Sequence, residues 1–192
     1  MTEYLLHEII PERDLPTLND RILRLPWWRS RRTLSYPRDI DRLQSALAYD
    51  LLERLVRRCF AMDLSRLVVE YSPTGRPAIA GHPEIWFSLS HCPMAVMAIV
   101  SDSSPVGCDV ETIPLSHPAE VEELYYSRGE RRLIESSADP SLEFTRIWTV
   151  KEALFKLDNS LDIESLDTTA FPGIRVITER IGECVASVAG GA

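Results

Sequence analysis

Residues 85–111 read IWFSLSHCPMAVMAIVSDSSPVGCDVE. Two short apolar runs, 85–90 and 95–100, flank His91, Cys92 and Pro93, and that pattern predicts two β-strands around a turn. Ser101, Asp102, Ser103, Ser104 and Pro105 then interrupt the apolar pattern and mark the best boundary in the chain. A third strand is predicted over 106–111. Side chains alternate along a strand, so Asp109 and Glu111 share one face, roughly 6–7 Å apart, while Cys108 and Val110 turn toward the core.

On the N-terminal side, Ile40, Leu43, Leu47, Leu51, Leu55 and Phe60 recur near a helical period and predict a helix over 37–62, with Asp39 as its starting cap. Residues 4–10 read as a strand ended by Pro11. Residues 67–71 read as another, ended by a turn at Ser72, Pro73, Thr74 and Gly75. On the C-terminal side the expectation is helices over 118–126, 127–136 and 144–157, strands over 173–178 and 183–188, and a frayed tail at Gly190, Gly191 and Ala192. Helices and strands intermingle without a regular βαβ alternation, which predicts an α+β fold.

Composition narrows the function classes. At 192 residues and 45% hydrophobic the chain can bury a real core, which argues against native disorder. No stretch reaches the ~20 apolar residues needed to span a bilayer, and acidic residues stand where a signal peptide carries basic ones. A cytoplasmic protein without membrane attachment is expected. Cys59, Cys92, Cys108 and Cys184 lack metal-site spacing and read as small buried hydrophobes, with no disulfide framework suggested. A net charge of −8 argues against nucleic-acid binding through an overall basic surface. The charge is uneven, however: Arg21, Arg24, Arg29, Arg31, Arg32, Arg38 and Arg42 crowd one stretch, as in a site for a particular anion or on a solvated helix face. Trp27 and Trp28 within it read as core residues.

Four groups of residues carry the chemistry. Asp109 and Glu111 on one strand face repel unless a cation lies between them, and a hard divalent ion with oxygen ligands would suit. Trp148, Glu152 and Lys156 are spaced four apart and stack on one helix face. Glu152 could add a third carboxylate, leaving Lys156 to meet phosphate. Ser90 and His91 offer a hydroxyl and an imidazole as anion ligands. Gly75, Arg76 and Pro77 set a guanidinium on a tight turn, well shaped for phosphate. Each group alone also reads as ordinary surface or core decoration.

Taken in this order, Gly75-Arg76-Pro77, Phe87-Ser88-Leu89-Ser90-His91, Gly107-Cys108-Asp109-Val110-Glu111 and Trp148-x-x-Lys151-Glu152-Ala153-x-x-Lys156 resemble the surfactin-synthetase-type 4′-phosphopantetheinyl transferases over about residues 38–156. The resemblance implies two similar α+β lobes, residues 1–104 and 105–192, packed as an intramolecular pseudo-dimer with coenzyme A in the cleft between them. It implies transfer of phosphopantetheine to a serine of an apo acyl or peptidyl carrier protein, by a monomer. Asp109, Glu111 and Glu152 would hold Mg²⁺ or Mn²⁺. Glu152 would act as general base, with Lys156 on phosphate. Arg42, Gly75, Arg76, Pro77, Ser90, His91, Asp109 and Lys156 would bind coenzyme A, Arg42 through the helix similar to the family's N-terminal one. Departures from the pattern are Cys92 where serine is frequent, Arg76 where lysine is common, and the absence of a glycine-rich stretch after Lys156. The alternatives are a non-catalytic relative that binds coenzyme A or carrier protein, and a metal-dependent phosphohydrolase.

Overall fold

The apolar runs on either side of Pro93 form an antiparallel hairpin, and the other elements are arranged around it. The computed structural model describes residues 1–73, 75–170 and 174–190. In chain order the elements are β1 (Thr2–Glu8), α1 (Pro11–Asp14), α2 (Leu18–Arg24), α3 (Trp27–Leu34), α4 (Asp39–Phe60), β2 (Val69–Tyr71), β3 (Pro77–Ile79), β4 (Trp86–Cys92), β5 (Ala95–Ser101), β6 (Val106–Thr112), α5 (Ala119–Tyr125), α6 (Arg128–Ser136), α7 (Pro140–Leu157), β7 (Arg175–Ile181) and β8 (Cys184–Gly190). The fold is α+β, and among the described residues no helix is long and apolar enough to cross a membrane.

The strands form two three-stranded antiparallel sheets, β1-β5-β4 and β6-β8-β7, and the small hairpin β2-β3. Every position of β5 is buried, which explains its continuous apolar sequence. Val96, Ala98 and Val100 join Leu43, Leu47, Leu51 and Leu55 of α4 in one core. Ala95, Met97 and Ile99 point the other way, into a second core shared with Val106, Cys108 and Val110 of β6 and Ala186 and Val188 of β8. The two sheets therefore meet across β5.

β4 and β6 belong to different sheets, yet side chains bridge them. The amide of Cys108 donates to Ser88 Oγ and the amide of Val110 to Ser90 Oγ, both at 3.3 Å. On the other side of β6, α7 lies directly on Gly107. A Cβ there would stand 1.9 Å from the Ala153 carbonyl oxygen and 2.6 Å from the Leu157 amide. Glycine is what allows a strand and a helix to approach so closely.

Several expectations move. The turn in the central hairpin is one residue pair later, so His91 and Cys92 lie inside β4, opposite Val96 and Ala95. Asp39 is not a cap: Arg38 holds that position without a side-chain bond, and Asp39 in the first turn accepts from Arg42. α7 begins at Pro140 because Asp139 accepts from the Leu142 amide and proline suits the first turn. Gly190 belongs to β8. Gly191, Ala192, Gly173 and Thr74, all part of sequence-based expectations, lie outside the described residues. The helices α1 to α3 and the strand β3 were not expected. Trp27 is 76% exposed rather than core, whereas Trp28 packs against the core.

Candidate functional site

β6 turns Asp109 and Glu111 toward α7, which presents Glu152 and Lys156 one turn apart. Lys156 Nζ lies 2.6 Å from Asp109 Oδ1, 3.2 Å from Ser90 Oγ and 3.9 Å from Glu152 Oε2. Ser90 donates to the same Asp109 oxygen at 2.7 Å. Asp109 is 2% exposed, and its second oxygen, Oδ2, is buried without a partner. Burial and then the neighbouring Asp109 push the Glu111 carboxyl up to about 8. Burial also raises Glu152, with Lys156 opposing the shift. Burial by itself would lower Lys156, but Asp109, Cys108 and Glu152 outweigh it and the ammonium pKa rises.

As placed, no three His, Cys, Asp or Glu side chains among the described residues gather closely enough to hold a metal ion. The donor set nevertheless fits one. A buried carboxylate oxygen without a partner and two crowded carboxyls held toward their protonated forms are the signature of missing positive charge. Oxygen ligands from Asp109, Glu111 and Glu152 suit a hard divalent cation.

From this acidic end a cleft of about 330 Å³ runs between α3, α4, β4 and the β2-β3 hairpin. Its polar lining includes Arg29, Arg32, Arg76, His91 and Lys156, and its aromatic lining Trp28, Tyr36, Tyr49, Tyr71 and Phe87. Gly75, with φ +83°, and Pro77 aim Arg76 into it. The Arg76 guanidinium covers the Trp86 ring at 4.9 Å and donates through one nitrogen to the Leu157 carbonyl at 3.1 Å. Its other terminal nitrogen is buried and unpartnered. Arg29 donates to the carbonyl and hydroxyl of Ser45, but its Nε has no partner. Arg32 stacks over Tyr71 at 4.9 Å. Burial presses Arg29 and Arg76 below the ordinary guanidinium value, a shift that a bound anion would reverse. At the cleft edge, where His91 keeps an exposed side, partial desolvation and then Lys156 lower its imidazole.

Among the described residues, the buried side-chain polar atoms without a partner are Arg29 Nε, Tyr49 Oη, one Arg76 terminal nitrogen and Asp109 Oδ2. The first three belong to residues lining the cleft, and the fourth closes its acidic end. Folded proteins rarely leave such groups unpaired. Three donors along the cleft and one acceptor at its end describe an anionic ligand accompanied by a cation.

The structure thus brings together Gly75, Arg76, Pro77, Ser90, His91, Asp109, Glu111, Glu152 and Lys156. Arg42 stands apart. It donates to the Tyr36 carbonyl and to Asp39, and so supports a cleft residue without lining the cleft. Of the arginines crowded between residues 21 and 42, Arg29 and Arg32 line the cleft, and the others do not. Tyr49 was missed. Its signal was weak: an aromatic on the buried stripe of α4 reads as core.

Lys151, inside the same motif as Glu152 and Lys156, turns the other way. It is wholly buried, pairs with Glu130 at 3.0 Å and donates to the Leu166 carbonyl. Trp148 packs edge-on against Tyr125 and stacks near Tyr126, holding this part of α7 against α5 and α6.

Residues 105–189 match the 4′-phosphopantetheinyl transferase superfamily. The chain is 35% identical over 111 residues to the 4′-phosphopantetheinyl transferase AcpT of Escherichia coli (strain K12), covering 55% of this chain and 57% of that protein. It is 28% identical over 131 residues to the 4′-phosphopantetheinyl transferase Sfp of Bacillus subtilis (strain 168), covering 65% of this chain and 57% of that protein. The chain spans a little over half the length of these curated relatives.

Proposed function

We propose that this chain, whose residues 105–189 belong to the 4′-phosphopantetheinyl transferase superfamily, moves the 4′-phosphopantetheine group of coenzyme A onto a serine of an apo acyl or peptidyl carrier protein. The observation that carries the reading is the convergence of unpartnered buried polar atoms on one cleft. Coenzyme A matches that demand, with phosphates for Arg29, Arg76, His91 and Lys156 and an adenine ring for the aromatic wall.

In this reading the serine oxygen bonds to the β-phosphorus of coenzyme A. The bond from that phosphorus to the bridging oxygen breaks, and 3′,5′-ADP leaves. Glu152, as a carboxylate whose proton affinity burial raises, accepts the serine proton. Lys156 steadies the charge that grows on the leaving oxygen. Asp109, Glu111 and Glu152 would hold Mg²⁺ or Mn²⁺, which supplies charge neutralisation at the pyrophosphate. Gly75 and Pro77 shape the turn that aims Arg76. Arg42 acts through Tyr36, and Ser90 keeps Asp109 and Lys156 in register.

We extend the reading to a pseudo-dimer of lobes 1–104 and 105–192. In each half a first strand pairs with the second strand of a later hairpin, and a long helix covers the sheet. A cytoplasmic monomer without nucleic-acid or membrane partners completes it.

The test is intact-mass spectrometry of apo carrier protein incubated with this protein, coenzyme A and Mg²⁺. The expected result is a gain equal to one phosphopantetheinyl group, abolished by Glu152→Gln. Binding of coenzyme A without any gain would favour a non-catalytic binder. Release of phosphopantetheine without a carrier would favour a hydrolase.

A further inference from the structure

Cys92 is the last residue of β4 and Cys184 the first of β8. Their sulfurs lie 3.7 Å apart, across 92 positions of chain, and each residue is 3% exposed. Both are free thiols. Each stands where its strand gives way to a turn, Cys92 before Pro93 and Cys184 after Gly182, whose φ is +57°. Strand ends can shift without breaking a ladder. Closing the contact to a bonded separation of about 2.05 Å therefore requires only a local adjustment.

The pair also spans the molecule's main junction. Cys92 follows Ser90 and His91 on β4. Cys184 sits opposite Thr112, the residue after Glu111 on β6. The sheets that carry these residues are bridged along this junction by hydroxyls of Ser88 and Ser90, with no ladder between β4 and β6. A covalent bond here would fasten the two sheets to each other within the core that they share.

We propose that Cys92 and Cys184 are a site of reversible disulfide formation that clasps the two halves of the chain. With a peroxide as oxidant, one thiolate attacks a peroxide oxygen, the O–O bond breaks, and hydroxide leaves with a sulfenic acid formed on that sulfur. The second thiolate displaces the sulfenic hydroxyl, giving the S–S bond. Two electrons pass from the sulfurs to peroxide, and the thiol protons leave in two molecules of water. A dithiol reductant reverses the step. The inference does not rest on the proposed transfer reaction.

The test uses the full chain carrying Cys59→Ser, which removes the more accessible thiol. After treatment with stoichiometric hydrogen peroxide, the expected product has lost two hydrogens and gives a peptide joining residues 92 and 184. Its thermal midpoint should rise by on the order of 10 °C, as a loop of this length implies, and dithiothreitol should restore the starting value. Cys92→Ala and Cys184→Ala should each abolish the cross-link, whereas Cys108→Ala should keep it. Oxygen added to sulfur without a cross-link, or a bond that involves Cys108 or forms only in denaturant, would overturn the proposal.

Discussion

Helix α7 carries two lysines five residues apart that meet opposite fates. Lys151 points into the protein, where Glu130, the Leu166 carbonyl and the Tyr126 ring surround it. Glu130 in turn accepts from the Ser127 and Thr168 amides, so every group in that network is engaged. Lys156 faces the cleft, where Asp109 takes its charge on one oxygen and leaves the other unpaired. The first network is closed and holds α7 against α6. The second is open and awaits a ligand. The difference teaches that a buried charge alone does not mark a site; an unanswered polar atom beside it does.

The substitution that breaks both networks together is Gly107→Ala. A methyl group 1.9 Å from the Ala153 carbonyl must lift α7 from β6 and move both lysines. A loss of about 3 kcal/mol or more in unfolding free energy is expected, with loss of carrier modification in whatever protein still folds. Urea unfolding and the mass assay read the two effects, and wild-type stability in this variant would refute the close packing.

Glu130→Gln breaks the closed network alone. It leaves the Lys151 ammonium buried without a countercharge, which costs roughly 3–5 kcal/mol. Glu152→Gln, beside the other lysine, should change stability by less than about 1 kcal/mol. Equal losses in the two variants by chemical denaturation would erase the distinction drawn between the networks.

The dependence on pH sharpens the open network. The folded-state pKa of Glu111, about 8, lies above its ordinary 4.5. The folded protein therefore keeps a proton that the unfolded chain has lost, and its stability falls as pH rises from 4.5 to about 8. Glu111→Gln should flatten that slope in the metal-free protein, and millimolar Mg²⁺ should flatten it in the wild type. Urea midpoints across this range check both expectations, and an unchanged slope in Glu111→Gln would remove Glu111 from the site.

The parts of the fold legible in the sequence were those with one dominant period. β5 reads as a strand because both its faces are covered, and α4 because its leucines repeat. The carboxylates on β6 and the four-residue spacing on α7 were equally plain. Residues 11–34 were opaque for physical reasons. Pro11, Pro16 and Pro26 cut them into short helices, and the inner face of α3 offers buried Arg29 and Thr33 in place of an apolar stripe. Lys151 did leave a trace: it continues the buried row of Phe144, Ile147 and Leu154, where an unpaired lysine would be untenable. Its partner Glu130 could not be read, because that contact depends on how α6 folds back.

The serine bridges between β4 and β6 also bear on how the two sheets are joined. A backbone ladder shares its load among many amides, but here the Cys108 and Val110 amides each hang on a single hydroxyl at 3.3 Å. Asp109 lies between them in sequence. The polar line between the two sheets thus runs beside the carboxylate with the unpaired oxygen, while the apolar core that Met97 and Ile99 share with Cys108 and Val110 holds the sheets together across it.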